Sequence, residues 1–123
     1  MAELNTRQIE ALDKQKTVVL IPGGILEEHG PYLPSFTDGY VTQAYTDSLA
    51  RAIVALPGWT VVVLPQIPLG SDPANTIGEL TVFPGSYPVR TTTVRAIFMD
   101  LANALGAQGF RWVFLIHNHA APT

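Results

Sequence analysis

The sequence predicts an α/β fold in which a mostly parallel sheet is covered by helices on both sides. Three short apolar runs, at 17–21, 59–64 and 111–116, alternate with stretches of helical length. Those runs are apolar on successive residues rather than every second one, the pattern of strands buried on both faces. Strict alternation of strand and helix calls for right-handed crossovers onto a parallel sheet.

Taken in order, Thr6 to Lys16 reads as a short helix, with Thr6 as its cap and Ile9 and Leu12 on its inner face. Thr17-Val-Val-Leu-Ile21 is a β-branched strand stopped by Pro22-Gly23-Gly24. Ile25 to Thr37, with its prolines and polar groups, reads as a long ordered loop. From Asp38 to Leu56, Val41, Tyr45, Leu49, Ala52, Ile53 and Leu56 recur at helical spacing and predict a helix near 39–55 with that stripe facing the sheet. Trp59 to Leu64 is the second strand, closed by Pro65. The region 66–88 is rich in Pro, Gly, Asn and Ser, with one apolar stretch at Leu80 to Phe83. Thr91 to Leu105 is a second long helix with Val94, Ile97, Phe98, Leu101 and Leu105 on one face, and Arg111 to Ile116 is a third buried strand.

The 123 residues read as a single α/β domain with no internal repeat or interior boundary. Charged residues are only 14% of the chain, well below the ~25% usual in soluble domains. So few charges predict apolar surface that something covers, either further sequence or an identical neighbour. The net charge of −3 gives no basic footprint for nucleic acid. No apolar run approaches the roughly 20 residues that span a bilayer, and no signal peptide is visible, so the expected location is cytoplasmic. With no cysteine, disulfides, thiolate nucleophiles and Cys-type zinc sites are excluded.

Chemistry collects around the three histidines, all of which follow apolar strands: His29 beyond the first, His117 and His119 directly after the third. Ligands of open α/β sheets bind outside the carboxyl ends of strands, so the topology can bring His29 and His119 to one rim. Backbone-bonded histidines are also common at strand ends. Glu27 and His29 are two apart, so an extended segment turns both to one side, a workable donor pair for zinc or manganese. The plain alternative is a solvated acidic loop. Asp38 opens the predicted helix and is a favoured N-cap. His117 and His119 are again two apart; both could ligate, or one could orient the other.

These residues lie in motifs that resemble the creatininase family. Ile21-Pro-Gly-Gly-Ile-Leu-Glu-Glu-His-Gly-Pro-Tyr-Leu-Pro-Ser-Phe-Thr-Asp38 is similar over 18 residues to its Glu-x-His-Gly-Pro-His-Leu-Pro…Thr-Asp signature. Phe83-Pro-Gly-Ser86 is similar to its Phe-Pro-Gly-Thr, and Leu115-Ile-His-Asn-His119 stands at its Asn-Gly-His. The resemblance implies a three-layer α/β/α fold, usually hexameric, that hydrolyses a cyclic or formamide-type C–N amide bond of a small molecule with two divalent metals (zinc, manganese or iron). It implies Glu27, His29, Asp38 and His119 as metal ligands, with Asp38 bridging, and puts His117 and Glu79 beside the metals or the substrate. There are departures. His117 replaces the usual asparagine, Ala120-Ala121 a common Gly-Gly, and Leu80 a histidine that often follows the glutamate. Family members are about twice as long, and their remaining glutamate ligand lies beyond His119, whereas no glutamate follows Glu79 here. The chain therefore reads as the N-terminal part of such a domain, one ligand short. Two other readings stay open: a non-catalytic structural half, and a nucleotide-binding α/β domain suggested by Gly23-Gly24. The latter lacks both a G-x-G-x-x-G and a Walker lysine.

Overall fold

The computed structural model describes residues 1–71 and 84–119. Glu79, the stretch Leu80 to Phe83 and Ala120-Ala121 lie outside the described residues. The elements run α1 (Thr6–Glu10), β1 (Thr17–Pro22), α2 (Thr37–Val54), β2 (Thr60–Val63), α3 (Thr91–Ala107) and β3 (Trp112–Ile116). The sheet order is β2-β1-β3. Both pairings are parallel, with Val18 opposite Val61 and Leu20 opposite Phe114.

This order fixes the layers. The path from β1 to β2 moves one way across the sheet, and the path from β2 to β3 returns past β1 and beyond. Two right-handed crossovers in opposite directions lie on opposite faces. Accordingly α2 packs on β1 and β2, while Leu105, Phe98 and Leu101 of α3 join Val19, Ile21 and Val62 in the core, with Ile9 and Leu12 beside them. β1 is central and buried along its whole length. Its successive apolar residues turn to alternate sides of the sheet.

Four details differ from the sequence expectation. The first helix is shorter, Thr6–Glu10, and its cap is Asn5 rather than Thr6. Asn5 Oδ1 accepts from the Gln8 amide at 3.0 Å, and Gln8 Oε1 accepts from the Asn5 amide at 2.9 Å, a reciprocal arrangement that satisfies two otherwise orphan donors. Lys14 then reaches back to the carbonyls of Ile9 and Glu10 and closes the helix. Second, α2 turns its small and hydroxyl side inward: Gly39, Thr42 and Thr46 are buried, while Val41, Tyr45 and Leu56 are about half exposed. Thr46 tolerates burial because its hydroxyl donates to the Thr42 carbonyl at 2.7 Å. Third, β3 is an edge strand, not a buried one, with Trp112, Phe114 and Leu115 at 40–48% exposure. A strand apolar on both faces suits a covered position, and among the described residues this one is left open. Fourth, the N-cap of α2 is Phe36, with no side-chain cap hydrogen bond, and Asp38 lies within the first turn. Asp38 is thus free of the capping role.

Candidate metal centre

Strand order reverses direction at β1, so the crevice between the carboxyl ends of β1 and β3 is a topological switch point, where α/β sheets bind ligands. The pairing continues past β1 to the end of β3: the Gly23 amide donates to the Ile116 carbonyl at 2.8 Å. The loop leaving β1 and the residues leaving β3 therefore start side by side.

The loop after β1 folds back on itself. Glu27 donates its amide to the Ser35 carbonyl at 2.9 Å, and His29 bridges antiparallel to Leu33. Gly30 makes the reversal at φ 76°, a left-handed conformation that glycine adopts without steric cost. A second segment braces it: the Glu28 amide donates to Ser86 Oγ at 2.9 Å and the Tyr87 amide to the Leu26 carbonyl at 2.8 Å. The Pro84-Gly85-Ser86 motif thus supports the loop carrying Glu27 and His29.

Within that frame the four side chains singled out by sequence come together. Glu27, His29 and Asp38 each offer a ligand atom, and these atoms lie within 4.8 Å of one another. His29 Nε2 is 3.3 Å from Asp38 Oδ1. His119 Nδ1 is 3.2 Å from Asp38 Oδ2 and 3.4 Å from Glu27 Oε2. Asp38 therefore turns one oxygen to each histidine. A carbonyl can only accept, so the 2.9 Å contact between His29 Nδ1 and the Glu27 carbonyl places the ring proton on Nδ1 and leaves Nε2 facing the carboxylates. That contact, helped by the charges of Asp38 and Glu27 and opposed by desolvation, holds His29 above the usual histidine pKa. An outer hydrogen bond of this kind fixes the tautomer of metal-binding histidines.

His117 is packed differently. Its ring lies on Gly23, where a Cβ would come within 2.5 Å of Cδ2; only glycine admits this approach. Burial, chiefly, and the neighbouring His119 push its pKa down, against a hydrogen bond to the Gly24 backbone. The two ring centres are 5.9 Å apart. Both Nε2 atoms are buried without a hydrogen-bond partner, and both rings line a cavity of about 490 Å³ between α3 and β3, walled by Val94, Arg95, Phe98 and Leu115.

Two supporting residues, Thr42 and Gln66, were not found from sequence, and Ser86 was found there only as part of a motif. Thr42 Oγ1 accepts the Asn118 amide at 3.0 Å, tying α2 to the segment that carries both histidines. Gln66 Nε2 donates to the Gly23 carbonyl at 2.9 Å and the Gly39 carbonyl at 2.8 Å. Ser86 braces the loop as described. Thr42 and Gln66 are polar residues acting on backbone far away in sequence, which leaves no periodicity or motif spacing to read.

A model of the creatininase family, described as creatinine amidohydrolase, matches residues 2–122. The chain belongs to the creatininase family. A relative from Mycolicibacterium smegmatis, named mycofactocin precursor peptide peptidase, is 27% identical over 112 residues, covering 91% of this chain and 43% of that protein. The crystal structure of a creatinine amidohydrolase (creatininase) superposes with a TM-score of 0.79 at 25% identity, covering 97% of this chain and 44% of that one. A mutant creatininase of Zn–Zn type gives 0.73 at 25% identity with the same coverage. A creatininase described as the Mn form gives 0.80 at 24% identity, again over 97% of this chain and 44% of that one. The chain thus spans less than half the length of the creatininases and relatives it matches.

Proposed function

We propose that this chain carries the N-terminal part of the active site of a metal-dependent amidohydrolase. Glu27, His29, Asp38 and His119 would hold two divalent ions, zinc, manganese or iron. The observation that carries the reading is Asp38, with Oδ1 on His29 and Oδ2 on His119. The donors fit such ions: carboxylate oxygens and imidazole nitrogens converge, and the carboxylates concentrate negative charge that a cation would neutralise. When bound, a pair of such ions lowers the pKa of water and polarises a scissile carbonyl. The chain's own residues do the rest: the Glu27 carbonyl holds His29 in the ligating tautomer, and the partly buried carboxylates orient the imidazoles.

The proposed substrate is a small molecule with a cyclic or formamide-type C–N amide bond. A peptide amide is a second reading, favoured by the name of the M. smegmatis relative. In this proposal the site takes a further glutamate from sequence beyond Thr123, and the protein works in the cytoplasm as a homo-oligomer. Exposed apolar residues on α2 and β3 favour such covering. The test is metal content and amide hydrolysis of the 123-residue chain beside a version continued with the C-terminal half of a creatininase. The expected result is weak metal retention and little turnover for the first, and hydrolysis for the second. If neither hydrolyses an amide, the structural-half reading replaces this one.

A further inference from the structure

We propose that the cavity beside the metal centre takes a small amide substrate that carries a carboxylate, and that Arg95 is the residue that selects for it. The inference rests on the amidohydrolase reading above and names a substrate class for that same site.

Three observations carry it. The first is position. α3 leads from the carboxyl end of β2 back to the amino end of β3, so it runs against the strands and its first turns lie at the rim where such sheets bind ligands. Arg95 is on the second turn of α3 and lines the same cavity as His117 and His119. The second is the lack of a counter-charge. Among the described residues, none of the ion pairs involves Arg95. Its helical neighbours three and four residues away are Thr91, Thr92, Phe98 and Met99, none of them acidic, so α3 offers no ion pair of its own. The third is the lining. Val94, Phe98, Met99 and Leu115 make the wall around Arg95 largely apolar. The volume of about 490 Å³ falls among small-molecule sites of roughly 300–1,000 Å³, which are apolar with a few placed polar groups.

A guanidinium fork matches a carboxylate bidentately, and covering its charge without a counter-charge is costly. Whatever fills this cavity therefore has to bring an anion. On this assignment the carboxylate of the substrate pairs with Arg95, its apolar body lies against Phe98 and Leu115, and its amide is left for the side bearing the histidines. Arg95 then governs the binding and choice of substrate, while the hydrolytic step belongs to the metal centre.

Titration of the 123-residue chain with N-acetylphenylalanine and with its neutral amide, N-acetylphenylalaninamide, tests the assignment. Chelator keeps metal out, a pH of about 8 lies above the ordinary histidine range, and NMR shifts of the Met99 and Leu115 methyl groups report occupancy. The expected result is that the parent binds the carboxylate at least roughly fivefold more tightly than the amide. Arg95→Gln should lose that preference with the amide's affinity unchanged, and Arg95→Lys should keep part of it, as a point charge without the fork. Arg95 is exposed and both replacements are good helix formers, so the variants fold. Equal affinities in the parent, or a preference that survives Arg95→Gln, overturns this inference alone, since the metal reading has its own test in metal content. Loss of the preference in the version continued with a C-terminal half means that a carboxylate of that half occupies Arg95, and overturns the inference as well. An intact preference in a protein that holds no metal and hydrolyses no amide overturns the amidohydrolase reading, and the carboxylate is then a ligand and not part of a substrate.

Discussion

Replacing Gly39 by alanine inserts a single methyl group where α2 meets the loop after β1. An added Cβ would stand 2.6 Å from Cε1 of Phe36 and nearer still to its Cζ and Cε2, against ordinary carbon contacts of about 3.5–4.0 Å. Phe36 has little room to yield. Its ring lies 3.2 Å from where a Cβ on Gly24 would be, and it packs edge-on to Tyr40 with centroids 5.3 Å apart. Overpacking of this kind costs about 1–3 kcal/mol, while alanine returns at most roughly 0.5–1 kcal/mol over glycine, the helix-interior figure, for a residue that lies in the first turn. The clash wins, leaving a net loss of about 1–2 kcal/mol and a fall of at least ~4 °C in Tm. Gly106 of α3 has nothing within 4 Å of the same built atom, so Gly106→Ala keeps only the helix gain and raises stability by up to about 1 kcal/mol. The assay is urea and thermal unfolding of both variants beside the parent. Zinc affinity should fall in Gly39→Ala alone, because Asp38 lies between Phe36 and Gly39 in the first turn of α2. A Gly39→Ala chain as stable as Gly106→Ala would refute the packing argument.

Other outcomes follow from the centre and its supports. Thr42→Val removes the acceptor of the Asn118 amide, and the orphaned N–H should cost about 1–3 kcal/mol in urea unfolding; an unchanged midpoint would mean water or another group replaces the bond. Ser86→Ala likewise orphans the Glu28 amide and should destabilise by ~1 kcal/mol while weakening zinc binding, a joint effect that calorimetry can separate. Zinc at about 100 times its Kd should raise the unfolding free energy by about 2.7 kcal/mol, and excess chelator should reverse the shift in a thermal scan. No shift at any zinc concentration would argue against a preformed centre.

Much of the fold was legible because strand runs and parallel crossovers leave a strong apolar signature. Val18 to Ile21 declares a buried strand at a glance, and the alternation around it dictates the parallel sheet. The grouping of Glu27, His29, Asp38 and His119 was legible from motif spacing together with the strand ends that bear them. What apolarity could not show was which side of α2 faces inward. Val41, Tyr45 and Leu56 out-score Gly39, Thr42 and Thr46 on any hydrophobic scale, yet the latter are buried, since the inner side must admit the Phe36 ring and hydrogen-bond the segment after β3. Likewise, the composition of β3 is that of an interior strand, and its exposure depends on what lies beside it. The cap of the first helix was missed by one position because both Asn5 and Thr6 suit the role, and only the reach of Gln8 decides between them.

Gln66 sits just beyond β2, outside every motif, and with one amide group it holds the Gly23 and Gly39 carbonyls together. Those carbonyls belong to the two walls from which the histidine-bearing and Asp38-bearing segments spring. A hinge between them would have to break one of these two hydrogen bonds, so the bridge couples the walls. The distances among the donors are then set during folding rather than adjusted when an ion arrives. On the metal-centre proposal, such a cradle would select ions by size and by bond length, and resist those that demand a different shape.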